Sequence, residues 1–175
     1  MGPNHNDGHK SRPQVMIQHN IGLDRDVRLA VVDLLNIILA DETLLTIKTR
    51  CAQWNVRGPA FYELHTLFES QQQLLNHISD EIAERAPMLG GIAIGSLEEF
   101  SSHTRLQEQI GVVPDVLHLL ADHEACIRYL REDVRRCSEE YEDQGTLDVL
   151  VRVMRVHEKM AWMLRSYVVI APNVL

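Results

Sequence analysis

Residues 60–86 read AFYELHTLFESQQQLLNHISDEIAERA and form a long pattern with one apolar and one polar side. On a helix that turns about 100° per residue, the apolar side chains gather on one stripe. The members of this stripe are Leu64, Leu67, Phe68, Leu74, Leu75, Ile78 and Ile82. The pattern predicts an amphipathic helix that buries this stripe against the rest of the protein.

The opposite stripe of this helix carries the side chains with metal-binding chemistry. It holds two histidines and three acids within about 120° of the helix circumference, and these are His65, Glu69, His77, Asp80 and Glu84. A solvated polar face is the plain interpretation of such a stripe. At about 1.5 Å per residue, however, His65 and Glu84 lie about 28 Å apart along the axis. One chain therefore cannot bring both to one metal ion.

A second copy of the helix would overcome this separation. If it crosses antiparallel about a two-fold axis near position ~74.5, His65 faces the partner's Glu84, and Glu69 faces the partner's Asp80. His77 then lies about one turn from the partner's Glu69. The dimer would hold two identical sites with imidazole and carboxylate ligands. Such ligands suit divalent iron, with zinc as a strong competitor.

Turn residues and helix caps divide the rest of the chain into further helices. Asp24 can cap the first helix, and glycines and prolines end or start the others. The predicted long helices span residues 24–54, 60–86, 114–140 and 145–171. Ser96 and Glu99 have the spacing of a capping box that opens a short helix in the long central connection. The sequence thus predicts an all-α four-helix bundle with a short extra helix.

The same pattern predicts one domain with a tail at each end. Residues 1–22 are polar and are expected to form a flexible N-terminal tail, residues 23–171 the bundle, and residues 172–175 a C-terminal tail. The N-terminal tail is mildly basic, because it contains His5, His9, Lys10, Arg12 and His19. It is interpreted as a solvated tail, with a weak DNA or metal contact as the alternative.

Composition narrows the class of function. The formal net charge is −8, which argues against a dedicated nucleic-acid binder and suits a protein that attracts cations. No apolar run reaches the roughly 18–20 residues that span a bilayer, and the N-terminus lacks the apolar segment of a secretory signal. A cytoplasmic protein without membrane contact is expected. Cys51, Cys126 and Cys137 lack metal-type spacing and predict no disulfide framework.

Several motifs in the chain are similar to those of a known family. They are the run from Gln53 to Pro59 (QWNVRGP), Glu63 to His65 (ELH), Phe68-Glu69, Asp80 to Arg85 (DEIAER), Leu89 to Gly91 (LGG) and His157 to Ser166 (HEKMAWMLRS). Together they resemble the Dps family of miniferritins over roughly residues 28–168. Trp162, in the last motif, is expected to lie in the core.

This resemblance implies a ferritin-like bundle that assembles as a hollow dodecamer built from two-fold dimers. The family oxidises Fe(II), often with hydrogen peroxide, and stores ferric mineral inside, which limits the production of hydroxyl radicals. Its ferroxidase ligands map onto His65 and Glu69 of one chain and onto the partner's Asp80 and the partner's Glu84. Trp54 beside this site is expected either to trap radical equivalents or to serve packing.

Two positions depart from the family pattern. The family has a histidine before the Trp-Asn pair, where this chain has Gln53, and an amide oxygen is a weaker ligand than imidazole for iron or zinc. His77 stands where the family often has an acid or another polar residue. The hypothesis is that His77 replaces the lost imidazole and gives a site that binds zinc well. The alternative is that His77 only makes hydrogen bonds at an interface.

The resemblance also implies pores at a three-fold axis, lined by acidic residues near the start of the last helix. Asp148 matches such a position, and Glu142 and Asp143 lie nearby. A ring of carboxylates would concentrate Fe(II) there. An acidic loop in water is the alternative.

The leading functional interpretation is a ferroxidase that uses dioxygen or hydrogen peroxide, stores iron and protects against oxidative stress. Two alternatives remain. One is a structural particle that compacts DNA, for which the net acidity is unfavourable. The other is a zinc-binding cage whose ferroxidase activity is weakened by Gln53.

Overall fold

The computed structural model describes residues 19–168, which form an all-α bundle. Its helices are α1 (Arg25–Asn55), α2 (Phe61–Met88), α3 (Leu97–His103), α4 (Val116–Glu139) and α5 (Gln144–Arg165). The predicted fold class is confirmed. The basic residues of the N-terminal tail up to residue 18, and the predicted tail at 172–175, lie outside the described residues.

The four long helices pair as two hairpins. Short connections join α1 to α2 and α4 to α5, and each pair packs along its length. The hairpins meet through α1 with α4 and through α2 with α5, while α3 lies on α1. Leucine, isoleucine and valine side chains fill the space between them. Each fully buried side chain of this size contributes about 1.5–3 kcal/mol of hydrophobic free energy.

The end of α2 lies two residues beyond the predicted one. The helix was expected to stop before Pro87, but it continues to Met88 with Pro87 in its last turn. The chain leaves the helix at Gly90, whose φ is 85°. This left-handed conformation costs glycine little, so Gly90 rather than Pro87 ends the helix.

The starts of α4 and α5 are set by acidic caps. The Asp115 carboxylate accepts a hydrogen bond from the His118 N–H at 2.9 Å, which moves the start of α4 just past Pro114. Asp143 caps α5 in the same way through Gly145 and Thr146. The capping box predicted at Ser96 and Glu99 is confirmed.

A buried chain of polar side chains joins three helices in the core. His157 Nε2 lies 2.8 Å from a Glu42 carboxylate oxygen, and the Nδ1 atoms of His157 and His123 are 2.9 Å apart. All three side chains are almost completely buried. Burial and the neighbouring His157 hold the pKa of His123 well below its usual range. The three groups therefore tie α1, α4 and α5 together at fixed positions, because buried polar groups need partners.

The long connection between α2 and α4 is anchored by Arg105. Its guanidinium donates to Asp41 and to Asp133, each at 2.8 Å, and both carboxylates are buried. Burial raises the pKa of Asp133 despite the contact with Arg105. Removal of the Arg105 side chain would take the shared guanidinium from two buried carboxylates, which makes this residue a fixed point for the connection.

The expectation that Trp162 lies in the core is wrong for the single chain, since its side chain is 61% exposed on α5. Within residues 19–168, no helix is both long and apolar enough to cross a bilayer.

Candidate metal centre

The structure confirms the two stripes of α2. Leu67, Phe68, Leu75, Ile78 and Ile82 are buried in the bundle. Leu74, expected on the same stripe, is 39% exposed, because it lies at the edge of the packed face. The core of a single chain therefore covers one side of α2 and leaves the other free.

The ligand-type side chains lie on this uncovered side. Glu69, His77, Asp80 and Glu84 are exposed and His65 is half-buried, with its ring 5.4 Å from that of Phe61. They all belong to one unbroken helix, so His65 and Glu84 stay about 28 Å apart. In the part of the chain that the structure describes, no three His, Cys, Asp or Glu side chains converge on a common point. The single chain thus presents two separate groups of ligand-type side chains, the candidate half-sites, which are His65 with Glu69 and Asp80 with Glu84.

The carboxyl-terminal half of α2 is fixed to α5. Glu81 makes an ion pair with Arg152, and the Arg85 guanidinium donates to Asp143 at 3.0 Å and to the Thr146 hydroxyl at 3.0 Å. These contacts flank Asp80 and Glu84 in sequence. They hold the backbone that carries the two carboxylates while leaving the carboxylates themselves exposed.

The amino-terminal half of α2 is fixed to both α1 and α5. On the α5 side, the Gln71 amide nitrogen donates to the Met160 carbonyl at 3.2 Å. Gln72, one turn after Glu69, lies between Arg50 and Gln53 of α1. With its amide oxygen turned to Arg50, that oxygen accepts from Arg50 Nη2 at 3.0 Å and also from Arg50 Nε, and its nitrogen donates to Gln53 Oε1 at 3.3 Å. Only in this orientation does the Gln72 oxygen face the Arg50 donors while the Gln72 nitrogen faces the Gln53 oxygen. The Gln53 oxygen thereby accepts a hydrogen bond within its own chain.

The middle of the exposed stripe carries no carboxylate. Gln73 and Asn76 are exposed there, with Gln72 half-buried beside them. The acids stand toward the two ends of the helix, at Glu69 on one side and at Asp80 and Glu84 on the other. The centre of the stripe is therefore neutral.

The acidic corner at the start of α5 contains two kinds of carboxylate. Glu142 and Asp148 are exposed, whereas Asp143 is 3% exposed. Asp143 accepts from the backbone of Gly145 and Thr146, each at 3.1 Å, and from the Thr146 hydroxyl. Burial raises the pKa of Asp143, but the bonds from Thr146 and the Arg85 charge outweigh it and hold this pKa below 3.8. Asp143 thus has a complete set of partners inside its own chain.

Sequence reasoning did not identify Arg50, Gln72 or Glu42 as organised groups. Glu42 gave a signal, because an acid among Ile38, Leu39 and Leu45 is unusual on a buried stripe. Arg50 and Gln72 gave none, since polar residues near a helix edge are ordinary. Trp54, expected beside the site, is 73% exposed next to Gln53.

Comparison with known proteins places this arrangement among related folds. The model of a ferritin-like domain matches residues 32–172. An uncharacterised low temperature-induced protein of Nostoc sp. is 46% identical over 85% of this chain and 86% of its own length. A DNA protection during starvation protein of Agrobacterium fabrum is 33% identical over 83% of this chain and 92% of its own length.

Two solved structures of Dps proteins are also similar to this chain. DpsC from Streptomyces coelicolor is 31% identical, with a TM-score of 0.83 over 91% of this chain and 95% of its own. A Dps protein from Vibrio cholerae O1, described as a member of a broad superfamily of ferritin-like diiron-carboxylate proteins, is 26% identical. Its TM-score is 0.79 over 86% of this chain and 96% of its own.

The partners of Asp143 predict an acid-sensitive contribution to stability. Asp143→Asn should lower the free energy of unfolding at neutral pH by about 1–3 kcal/mol, because asparagine still caps a helix but does not pair with Arg85. A carboxyl whose pKa is lowered on folding stabilises the protein above its ordinary pKa of 3.8 and stops doing so as the pH falls. The difference between the two proteins should therefore shrink in acid. Thermal unfolding at a series of pH values measures it.

Asp148→Asn is the matched control, since it removes the same charge from an exposed position on the same helix. It should change stability by less than about 0.5 kcal/mol. Equal effects of the two substitutions would contradict a structural role for Asp143.

Proposed function

Because the chain belongs to the Dps family of ferritin-like proteins, we propose that it oxidises Fe(II) at sites shared by two subunits and stores the ferric product in a cage. The observation that carries this proposal is the exposed stripe of α2. It holds imidazole and carboxylate groups on a helix whose other side is already buried in its own bundle.

Two copies of α2 in antiparallel contact would complete the site. His65 and Glu69 of one chain would meet the partner's Asp80 and the partner's Glu84, because both pairs are symmetric about position ~74.5. The neutral amides of Gln73 and Asn76 would face each other at the centre. The anchoring of both halves of α2 within their own chain supports this pairing, since it fixes each half-site before the subunits meet.

The donor set fits iron as the substrate. Carboxylates and imidazoles bind divalent iron, and carboxylate oxygens also tolerate the ferric product. Each Fe(II) gives one electron to an oxidant, dioxygen or hydrogen peroxide, and the protein supplies ligands and an enclosed space. Trp54 is the side chain that we propose for trapping radical equivalents, because it is exposed beside Gln53.

We further propose a dodecameric cage in the cytoplasm with acidic entry pores. Glu142 and Asp148 are exposed carboxylates at the start of α5 and are available to line such a pore. The buried Asp143 would support the pore indirectly, because its hydrogen bond from Arg85 holds the start of α5 in place. In this proposal, the ring of exposed acids raises the local concentration of Fe(II).

The alternative function, a DNA-compacting particle, is supported by the Agrobacterium relative, which is called a DNA protection during starvation protein. The basic tail residues that would carry it lie outside the described residues. The iron proposal is preferred because it uses the geometry of α2 directly.

The test of the proposed function is the initial rate of Fe(II) oxidation by metal-stripped protein. Dioxygen and hydrogen peroxide are supplied separately. The native protein should oxidise Fe(II) well above the buffer rate. His65→Ala and Asp80→Ala should each lower the rate by at least about tenfold, because each removes a ligand from every shared site.

His103→Ala is the control, since His103 is exposed on α3, away from the stripe. It should leave the rate unchanged. A native rate equal to that of buffer would overturn the ferroxidase proposal and favour a cage that only binds metal.

His77 is proposed as an additional nitrogen ligand that favours zinc. It is exposed on the ligand side of α2. His77→Ala should weaken zinc binding by about tenfold, because loss of one imidazole removes a Zn–N bond. Titration of the metal-stripped protein with zinc measures this, again with His103→Ala as the control. Unchanged zinc affinity would show that His77 is only an interface residue.

A further inference from the structure

The contact between α1 and α2 beside the half-site contains an uncompensated positive charge. Arg50 is half-buried, and its guanidinium donates to the neutral amide of Gln72. The ion pairs found within residues 19–168 do not include Arg50. Its charge is therefore not neutralised by a carboxylate of the described chain.

Gln72 links this charge to Gln53. On the helical wheel Gln72 falls about 20° from His65, so it borders the ligand stripe itself. Its amide accepts from Arg50 on one side and donates to Gln53 Oε1 on the other. An amide binds a metal ion through its oxygen, because the nitrogen lone pair is delocalised. The atom of Gln53 that could act as a ligand is thus the atom held by Gln72.

We propose that Arg50, Gln72 and Gln53 form a hydrogen-bonded clamp that keeps the Gln53 amide off the metal, and that the Arg50 charge lowers the affinity of the site for divalent cations. This inference rests on the shared site proposed above. It makes Gln53 a positioning residue rather than a ligand. It makes Arg50 a residue that weakens cation binding from outside the ligand shell.

The electrostatic part of the clamp has a definite sign. A guanidinium repels a divalent cation at a neighbouring position, and partial screening by water and salt limits the effect. The carboxylates of the site attract the same ion. Arg50 therefore offsets part of the attraction from Glu69 and from the partner's Asp80 and the partner's Glu84, and it lowers affinity without contacting the ion.

The experiment is a zinc titration of the full-length, metal-stripped assembly, with a competing chelator, at low and moderate salt. Gln53→Ala should bind zinc within about twofold of the native affinity, since it removes no ligand. Arg50→Gln should bind zinc about three- to tenfold more tightly, because it removes a nearby positive charge. This gain should shrink as salt is added.

Two further variants complete the design. Arg128→Gln makes the same charge change at an exposed position on α4, which packs on α1 and α5, and should leave zinc affinity unchanged. His65→Ala should bind zinc at least about tenfold more weakly. All the substitutions lie at exposed or half-buried positions, so we expect each protein to fold and assemble.

The possible results distinguish a failure of the clamp proposal from a failure of the shared-site proposal. If Gln53→Ala weakens zinc binding as strongly as His65→Ala, Gln53 is a ligand and the clamp is wrong. Unchanged or weaker binding by Arg50→Gln overturns the electrostatic role. If His65→Ala retains native zinc affinity, the shared site itself fails and the clamp fails with it.

Discussion

The length of one rigid helix is the constraint on which the structure and its proposed chemistry depend. α2 runs without a break from Phe61 to Met88, so ligands at its two ends are separated by about 28 Å. Its apolar stripe is already used by the core of its own chain. Within the described chain the polar stripe assembles no metal site, and in the proposed dimer a second copy of the same stripe would supply complementary groups at matching positions.

The rest of the bundle holds α2 in place for this contact. Its carboxyl-terminal half is fixed to α5 through Arg85 and Glu81, and its amino-terminal half to α1 through Gln72. The chain from Glu42 through His157 to His123 fixes the neighbouring helices against each other. Preorganised half-sites of this kind lower the entropy lost when subunits associate and when metal binds.

The stripes, the helix count and the short helix could be predicted from the sequence, because periodicity and caps are local signals. The end of α2 was placed too early, since proline is a weaker stop than the left-handed conformation at Gly90. Trp162 was expected in the core, but a single chain leaves it exposed. The contacts of Gln53 depend on side-chain conformations across two helices, which no sequence pattern specifies. The pairing of His65 with the partner's Glu84 stays a prediction.

Mixed assemblies of two variants test the shared site most directly. One variant carries His65→Ala with Glu69→Ala, and the other carries Asp80→Ala with Glu84→Ala, so neither alone has an intact site. In a mixed dimer, one of the two sites would take all four native ligands. Random pairing of equal amounts should therefore restore about a quarter of the tightly bound metal per chain. Mixed assemblies that bind no more metal than either variant alone would contradict a site shared between subunits.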